Sequence, residues 1–275
     1  MIIVSVVRDF EIYDRLVRKN PFNEGAAFFA WDNRVENQGI PERYNAFLDR
    51  YDYTRKAWFV FCHEDWEIQE PWIDKIRGLD PAHLYGPIGV HLVEKSRKIH
   101  RYVLGQILHS QRSGAQCTQC GYYVEKALPV ETFDCQCLIV HSDLIQKTGL
   151  RFDTQLHFDL YVEDFCMCAV TQHRIQPRVI QLRCQHYSYG TLSDRFSKGI
   201  RYLQQKYQAC DCFFSTTVSS DIIPLPCTKP IIDRRYTSMK TSVVAFLYQN
   251  NVTRSGRHLI KIFKIPVWWK KHALQ

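Results

Sequence analysis

Short apolar runs alternate with amphipathic segments along the first 65 residues of the chain. The run at residues 2–7 is continuous and mostly β-branched, as in a strand that is buried on both faces of a parallel sheet. Further apolar runs follow at residues 26–31 and 58–62. Between them lie two helical patterns, one at residues 11–18 and one that Pro41 opens. Strand, helix, strand, helix, strand predicts a doubly wound parallel sheet.

The pattern changes after this region. Residues 84–141 contain short apolar runs separated by turns, which indicates strands in mixed or antiparallel pairing. Helical patterns return at residues 160–171 and 196–207. Beyond residue 212 the pattern weakens and three prolines follow, at positions 224, 226 and 230. We therefore predict one α/β domain over residues 1–215 and a C-terminal extension over residues 216–275.

Composition fits one globular α/β domain, because 45% of the 275 residues are hydrophobic and 23% are charged. The net charge is +8, but residues 254–275 hold six Lys or Arg side chains and no acid, which leaves +2 on the rest. A nearly neutral body argues against a broad nucleic-acid-binding face. We expect no nucleic-acid partner.

The two ends of the chain bear on its location. Residues 1–9 lack the features of a signal peptide, and no apolar run approaches the roughly 20 residues that span a bilayer, which predicts a cytoplasmic protein. In the basic tail, cations alternate with apolar residues and Trp268 adjoins Trp269. Two interpretations stay open: peripheral contact with the inner face of the membrane, or a terminal helix docked on the domain. Pro266 argues against one long helix.

Eleven cysteines are present, and with no export signal they are interpreted mainly as reduced thiols in apolar surroundings. Cys117-X-X-Cys120 has the spacing of half a zinc knuckle, and Cys135-X-Cys137 could supply the other two thiolates. The hypothesis is therefore a four-thiolate Zn²⁺ site. The alternative is four core or hairpin cysteines without a metal.

Polar residues stand at the end of each of the three predicted N-terminal strands: Ser5, then Asp32-Asn33, then His63-Glu64-Asp65. Ligands of open α/β sheets bind at these carboxyl ends. A carboxylate there can hold a divalent cation that bridges two phosphates, because hard cations prefer oxygen ligands. The alternative for Asp65 is a helix N-cap.

Two further features have both a structural and a functional interpretation. Glu163 and Asp164 open a predicted helix, where acids favour the helix dipole, but a carboxylate in a cleft can also act as a general base. His186 ends a predicted strand, where it is either a structural residue or, as a neutral imidazole, a metal ligand.

The order and spacing of these motifs over residues 1–210 resemble the bacterial glycosyltransferase-like proteins allied to glycosyltransferase family two. The matching segments are Asn33, Gly39-Ile40-Pro41, Tyr44-Asn45, residues 58–65, Leu150-Arg151-Phe152-Asp153, His157-Phe158-Asp159-Leu160-Tyr161, Glu163-Asp164 and His186. The resemblance implies the GT-A fold, an α/β domain with a mostly parallel central sheet and an added antiparallel portion.

The implied activity is transfer of a sugar from a nucleoside-diphosphate sugar to an acceptor hydroxyl, with inversion and with Mn²⁺ or Mg²⁺. A UDP-sugar is the favoured donor. The favoured acceptor is a glycan or a lipid-linked molecule, and the favoured process is the synthesis of cell-surface glycans. The alternative is a catalytically silent GT-A-like module that binds a glycan or a protein partner, with the cysteines as a zinc-bound hairpin.

The resemblance also implies roles for single residues. Asp164 corresponds to the catalytic base, and Asp65 and His186 correspond to metal ligands. The residues implied at the donor are Ser5, Asp32 and Asn33 near the base and ribose, Asn45 near the nucleotide, Asp134 near the sugar, and His63. This chain departs from the family pattern at His63, which replaces the first acid of the Asp-X-Asp motif, and at Cys135, where a Gly is common.

Overall fold

The computed structural model describes residues 1–110, 118–188, 193–224 and 231–234 in full, and the backbone of Cys117 and of three later strands. The helices are α1 (Phe10–Tyr13), α2 (Ile40–Arg50), α3 (Ile73–Arg77), α4 (Ser142–Thr148), α5 (Tyr161–His173) and α6 (Asp194–Lys206). A π-helical turn, Asp14–Arg18, continues α1, and Pro21–Asn23 forms a 3₁₀ turn.

The strands are numbered in chain order. They are β1 (Ile2–Val7), β2 (Ala27–Asp32), β3 (Trp58–Cys62), β4 (Trp66–Ile68), β5 (Tyr85–Gly86), β6 (Gly89–Lys95), β7 (Lys98–Leu104), β8 (Ile107–Ser110), β9 (Cys117–Cys120), β10 (Leu128–Pro129), β11 (Thr132–Phe133), β12 (Cys137–His141), β13 (Arg178–Val179), β14 (Cys184–His186), β15 (Ile231–Arg234), β16 (Tyr248–Val252), β17 (His258–Ile262) and β18 (Ile265–Trp269).

The central sheet has seven strands in the order β10-β13-β5-β12-β3-β1-β2. β1 lies between β2 and β3 and is parallel to both, as the alternation of the first 65 residues predicts. β12 is antiparallel to its neighbours β3 and β5, and β10 is antiparallel to β13. The sheet is therefore mixed, and the expectation of a mostly parallel sheet is wrong. The chain enters β12 from β11, which pairs with β6 in another sheet, and an antiparallel neighbour of β3 needs no crossover connection.

Both faces of this sheet are covered. In β1, Val4 and Val6 belong to one buried cluster, with α2, α5 and α6, while Ile3 and Val7 belong to a second cluster with the helical turns of residues 10–18. Successive side chains of a strand point to opposite faces, so a strand between two apolar layers needs apolar residues at every position. This explains the continuous run at the N-terminus.

Two smaller sheets extend the domain, with the orders β11-β6-β7-β15 and β4-β14-β8-β9. The β6–β7 and β8–β9 pairs are antiparallel, which confirms the mixed pairing expected for residues 84–141. β14 pairs with β4 so that His186 lies opposite Trp66, one residue after Asp65. This pairing brings two segments together that are more than 100 residues apart in sequence.

The C-terminal extension contains strands. A terminal helix was one of the two expectations for its basic tail. β16, β17 and β18 form an antiparallel sheet, and Pro266 lies opposite Lys261 in it. The tail side chains that would touch a membrane lie outside the described residues, so that contact stays a prediction, as does the domain boundary near residue 215. Within the described part of the chain, none of the helices is long and apolar enough to cross a membrane.

Candidate functional site

Two imidazoles and one carboxylate converge at the carboxyl end of β3. His63 and Asp65 follow this strand directly, and His186 ends β14. The Nε2 atom of His186 lies 3.2 Å from Asp65 Oδ1 and 3.4 Å from His63 Nδ1. One ligand atom from each residue lies within 4.8 Å of the others, and the described residues contain no other such group of His, Cys, Asp and Glu. The sequence prediction of Asp65 and His186 as neighbours therefore agrees with this geometry.

Hydrogen bonds orient His63 toward the other two residues. The Tyr161 hydroxyl donates to the carbonyl of Cys135 at 2.9 Å, so at 2.8 Å it must accept from His63 Nε2. This tautomer leaves Nδ1 with its lone pair, on the side of His186. Burial lowers the pKa of His63 to about 4, so the ring is neutral at pH 7. A neutral, oriented imidazole is a competent metal ligand.

This donor set fits some divalent metals better than others. Mg²⁺ strongly prefers oxygen ligands, whereas Mn²⁺, Fe²⁺ and Zn²⁺ also accept imidazole nitrogen. His63 stands where the resembled family has an acid, so nitrogen replaces oxygen at that corner. Of the two metals expected from the sequence, Mn²⁺ fits these residues and Mg²⁺ fits them poorly.

The three residues line a cavity of about 750 Å³. This volume lies within the range of small-molecule sites, about 300–1,000 Å³. Asn33, His109, Asp134 and Glu163 also line the cavity, together with Arg8 and with Arg195, which is paired with Asp159. The ends of β1, β2 and β3 therefore share one cleft with the start of α5 and of α6.

Asn33 and Asp134, two of the residues predicted at the donor, line the cavity. The Asn33 amide donates to the Gln38 carbonyl at 2.8 Å and accepts from the Gln38 backbone N–H at 3.0 Å, so it shapes the loop between β2 and α2. Asp134 accepts from the Thr217 hydroxyl at 2.6 Å. Burial raises the pKa of Asp134, but His109 and this hydrogen bond outweigh burial, and the pKa falls below its usual value. Asp134 is therefore an anion.

Three other residues that were predicted at the donor are not among the described residues that line the cavity. Ser5 is fully buried, 3.5 Å from the Cys62 sulfur. Asp32 is half exposed and pairs with Arg34 at 2.6 Å. The Asn45 amide bonds both backbone polar groups of Phe152, at 2.8 and 2.9 Å, which ties α2 to that segment. These positions do not favour contacts between the three side chains and a nucleotide bound in the cavity.

The position expected for Asp164, facing the same cleft as Asp65, is wrong. Asp164 is fully buried and accepts hydrogen bonds from Lys206 Nζ at 2.8 Å and from the Tyr207 hydroxyl at 2.8 Å. Its neighbour Glu163 lines the cavity instead. Successive residues of an α-helix point about 100° apart, so only one of the two acids at the start of α5 can face the cleft. The other faces α6.

Glu163 is held in an environment that favours its protonated form. Burial raises the pKa of Glu163 to about 8, and the negative charges of Asp134 and Asp159 act in the same direction. A hydrogen bond from the Cys135 thiol, at 2.9 Å, opposes this shift in part. A carboxyl group with a pKa near the working pH is suited to proton transfer.

The four-thiolate zinc hypothesis depends on Cys135 and Cys137 facing the same side. β12 begins only at Cys137, so the two residues do not share a strand. Cys135 packs on the first core cluster and Cys137 lies within the second. The two thiols thus belong to different apolar layers, and this arrangement does not favour a shared ion. The side chain of Cys117 lies outside the described residues, and Cys120 packs on the second cluster.

Sequence reasoning missed His109, Phe158 and Arg195 as cavity residues. His109 lies on β8, and its ring centroid is 5.5 Å from that of His186 because β8 and β14 pair. Arg195 is in the first turn of α6. His109 and Arg195 are ordinary residues in their own segments, so no local signal marks them, whereas Phe158 lies in a segment that matches the resembled family.

A comparison with known proteins finds no family model and no curated protein that matches the chain. Among solved structures, the chain is similar to the crystal structure of GalNAc-T7 with UDP, GalNAc and Mn²⁺, with a TM-score of 0.45 and 8% sequence identity. The similarity covers 75% of this chain and 48% of that one, so the matched region is about half of that protein. At this level of similarity no residue role carries over from one protein to the other.

The ion pair between the buried Asp164 carboxylate and the partly exposed Lys206 should stabilise the fold. Lys206 also contacts Asp153 at 2.6 Å, and Asp164 has no solvent exposure. Lys206→Met leaves the Asp164 carboxylate buried without its cation, which should lower the free energy of unfolding by about 3 kcal/mol in urea denaturation. Lys198→Met, at an exposed position of the same helix, is the matched control and should change it by less than about 0.5 kcal/mol.

The double variant Asp164→Asn with Lys206→Met removes both charges of this pair. It should recover part of the stability that Lys206→Met loses. A single Lys206→Met variant as stable as the parent protein would show that the pair does not hold α5 to α6.

Proposed function

We propose that this protein is a GT-A glycosyltransferase that transfers a sugar from a nucleoside-diphosphate sugar, preferably a UDP-sugar, to an acceptor hydroxyl. The observation that carries this proposal is the His63–Asp65–His186 group beside Glu163 in one cavity. A metal site and a proton acceptor in one cleft are the two elements that such a transfer requires. The resemblance of residues 1–210 to the family-two-like proteins supports the same activity.

The nucleotide end of the substrate would lie at the parallel strands. Val6 and Asn33 line the cavity at the carboxyl ends of β1 and β2, where nucleotides bind in open α/β sheets. His63 Nδ1, His186 Nε2 and an Asp65 oxygen would hold the metal. When bound, a divalent cation neutralises charge on the departing diphosphate. The Arg8 side chain lines the same cavity and adds a positive charge.

Glu163 would act as the base in this proposal. Its carboxylate would take the proton of the acceptor hydroxyl while that oxygen attacks the sugar carbon from the face opposite the diphosphate, which inverts the configuration. The ionised Asp134 nearby makes Glu163 a stronger base than an ordinary carboxylate. The Cys135 thiol, 2.9 Å from Glu163 Oε2, would hold the carboxyl group in place.

A binding module without turnover is the second candidate function. One observation favours it: burial raises the pKa of Glu163 to about 8, so most of this carboxyl group is protonated at pH 7 in the free protein. A protonated acid can donate a hydrogen bond to a glycan but cannot accept a proton. The two functions differ in turnover, not in binding.

Calorimetry and a turnover assay test the proposal together. We expect Mn²⁺ to bind at least about tenfold more tightly than Mg²⁺, because two of the three ligands are nitrogens. UDP should bind more tightly with Mn²⁺ than without it, and one member of a panel of UDP-sugars should be turned over. Binding of UDP without any turnover would favour the binding module. Absence of Mn²⁺-dependent binding for every nucleotide would contradict the transferase and leave only a module that binds a glycan or a protein partner.

A further inference from the structure

One aromatic ring at the cavity stays exposed to solvent. Phe158 lines the cavity and is 46% exposed. Its ring stacks with that of His63 at an interplanar angle of 25° and a centroid distance of 6.2 Å. The ring therefore lies directly beside the group proposed to hold the metal. It has no part in the metal site or in proton transfer.

The segment that carries Phe158 is held in place on both sides. Leu160 adopts a left-handed conformation, with φ of 66°, while its side chain is buried against Gly199 of α6. A strained residue persists only where its surroundings hold it. The backbone carbonyl of His157 accepts a hydrogen bond from Ile40 N–H at 2.9 Å, which joins the segment to α2. The exposed ring therefore stands on a fixed segment.

The charges around the ring are already balanced. The Arg195 guanidinium lies 4.8 Å from the centroid of the Phe158 ring, and its Nε bonds Asp159 at 2.6 Å. The Arg195–Asp159 pair offers N–H groups as hydrogen-bond donors. The pair has no net charge, so it does not favour an anionic ligand. The surface beside Glu163 thus combines an apolar ring, N–H donors and a carboxylate acceptor.

We propose that Phe158, with the Arg195–Asp159 pair, is the acceptor platform and that it binds a neutral sugar ring. This inference rests on the proposed function, because it names the acceptor of that same transfer. One face of a sugar ring carries mainly C–H groups, which pack on an aromatic ring, while its hydroxyls bond to polar groups at the edge. Glu163 lines the same cavity, so a sugar that packs on the exposed part of the Phe158 ring can present one hydroxyl to it. The acceptor is thus a saccharide, and not a serine or threonine of a protein.

Saturation-transfer NMR on the full chain tests this platform without donor or metal. The probes are cellobiose, maltose and chitobiose as neutral sugars, digalacturonic acid as an acidic sugar, and a peptide rich in Ser and Thr. At least one neutral disaccharide should bind. Phe158→Ala should weaken its binding roughly tenfold, whereas Phe158→Trp, which keeps an aromatic face, should bind at least as well as the parent protein. Tyr123→Ala, at an aromatic residue that is 61% exposed outside this cavity, is the control and should have no effect.

Three outcomes would overturn the inference: equal saccharide binding by Phe158→Ala, preferred binding of the acid or of the peptide, or no saccharide binding at all. Failure of the proposed function is a separate result. If the protein binds neutral disaccharides through Phe158 but never binds UDP with Mn²⁺, the platform stands and the transferase does not. If UDP binds with Mn²⁺ and a UDP-sugar is turned over, but Phe158→Ala leaves the KM of every acceptor unchanged, the transferase is supported. The acceptor platform is then contradicted.

Discussion

Replacing Asp65 with alanine should abolish metal-dependent nucleotide binding. Asp65 supplies the one carboxylate in the group of His63, Asp65 and His186, and His186 Nε2 lies 3.2 Å from it. Loss of a partner that only orients a ligand weakens metal binding about 10- to 100-fold, so loss of the ligand itself should weaken it by more than about 100-fold. Calorimetry with Mn²⁺ measures this directly, and UDP binding with Mn²⁺ should fall with it.

Asp32→Ala is the matched control for this prediction. Asp32 ends β2 and Asp65 follows β3 in the same central sheet, but Asp32 is half exposed, pairs with Arg34 and does not belong to the lining of the cavity as the structure describes it. Its removal should leave Mn²⁺ and UDP binding within about twofold of the parent protein. Equal Mn²⁺ affinity of Asp65→Ala and the parent would remove Asp65 from the metal site. A loss in both variants would point to a nucleotide that extends over the end of β2.

Glu163→Gln should reduce turnover by roughly two to four orders of magnitude, the usual contribution of general acid–base catalysis. Glutamine keeps the size of the side chain and can occupy the same space between Cys135 and the cavity, but it cannot accept a proton. Binding of Mn²⁺ and UDP should persist, because the carboxyl group faces the acceptor in this proposal. In the parent protein, kcat/KM should rise with pH to a plateau above about pH 8, since burial raises the pKa of Glu163 to about 8.

The same substitution makes a prediction about stability. The folded-state pKa of Glu163, about 8, lies above its ordinary value of 4.5, so the folded protein binds a proton that the unfolded chain releases between these pH values. The stabilisation is fully present below about pH 4.5 and is lost as pH rises through 8. Its slope is at most about 1.4 kcal/mol per pH unit. Glutamine resembles the protonated acid, so urea denaturation should show Glu163→Gln gaining stability relative to the parent as pH rises from 5.5 to 8.

Asp164→Asn distinguishes the two adjacent acids. Asp164 accepts hydrogen bonds from Lys206 and Tyr207, so its replacement should lower stability and leave turnover within a few-fold of the parent at a temperature where both are folded. The reverse pattern, with turnover lost in Asp164→Asn and kept in Glu163→Gln, would return the base to Asp164. It would mean that α5 rotates when substrate binds.

Local patterns of the sequence were enough to predict the elements around the site. β3 is apolar at every position and β1 at every position except Ser5, because both faces of the central sheet are covered, and these continuous runs can be recognised in the sequence. The helices predicted at residues 160–171 and 196–207 correspond to α5 and α6 within two residues at each end. The position of Asp65 at the end of a buried strand likewise follows from the order of apolar and polar residues.

Contacts between distant segments determine the features of the site that the local sequence patterns do not predict. Whether Glu163 or Asp164 faces the cleft depends on the rotation of α5 about its axis, which Lys206 and Tyr207 of another segment determine. Ser5 lies inside β1 and Asn45 in the middle of α2, and each has a partner that only the folded chain brings near, whereas Asp32 at the end of β2 pairs with Arg34, two residues along the chain. The antiparallel insertion of β12 beside β3 has the same origin. Sequence periodicity records which face of an element is buried, but it does not record which neighbour covers that face, and the chemistry of this site depends on the neighbours.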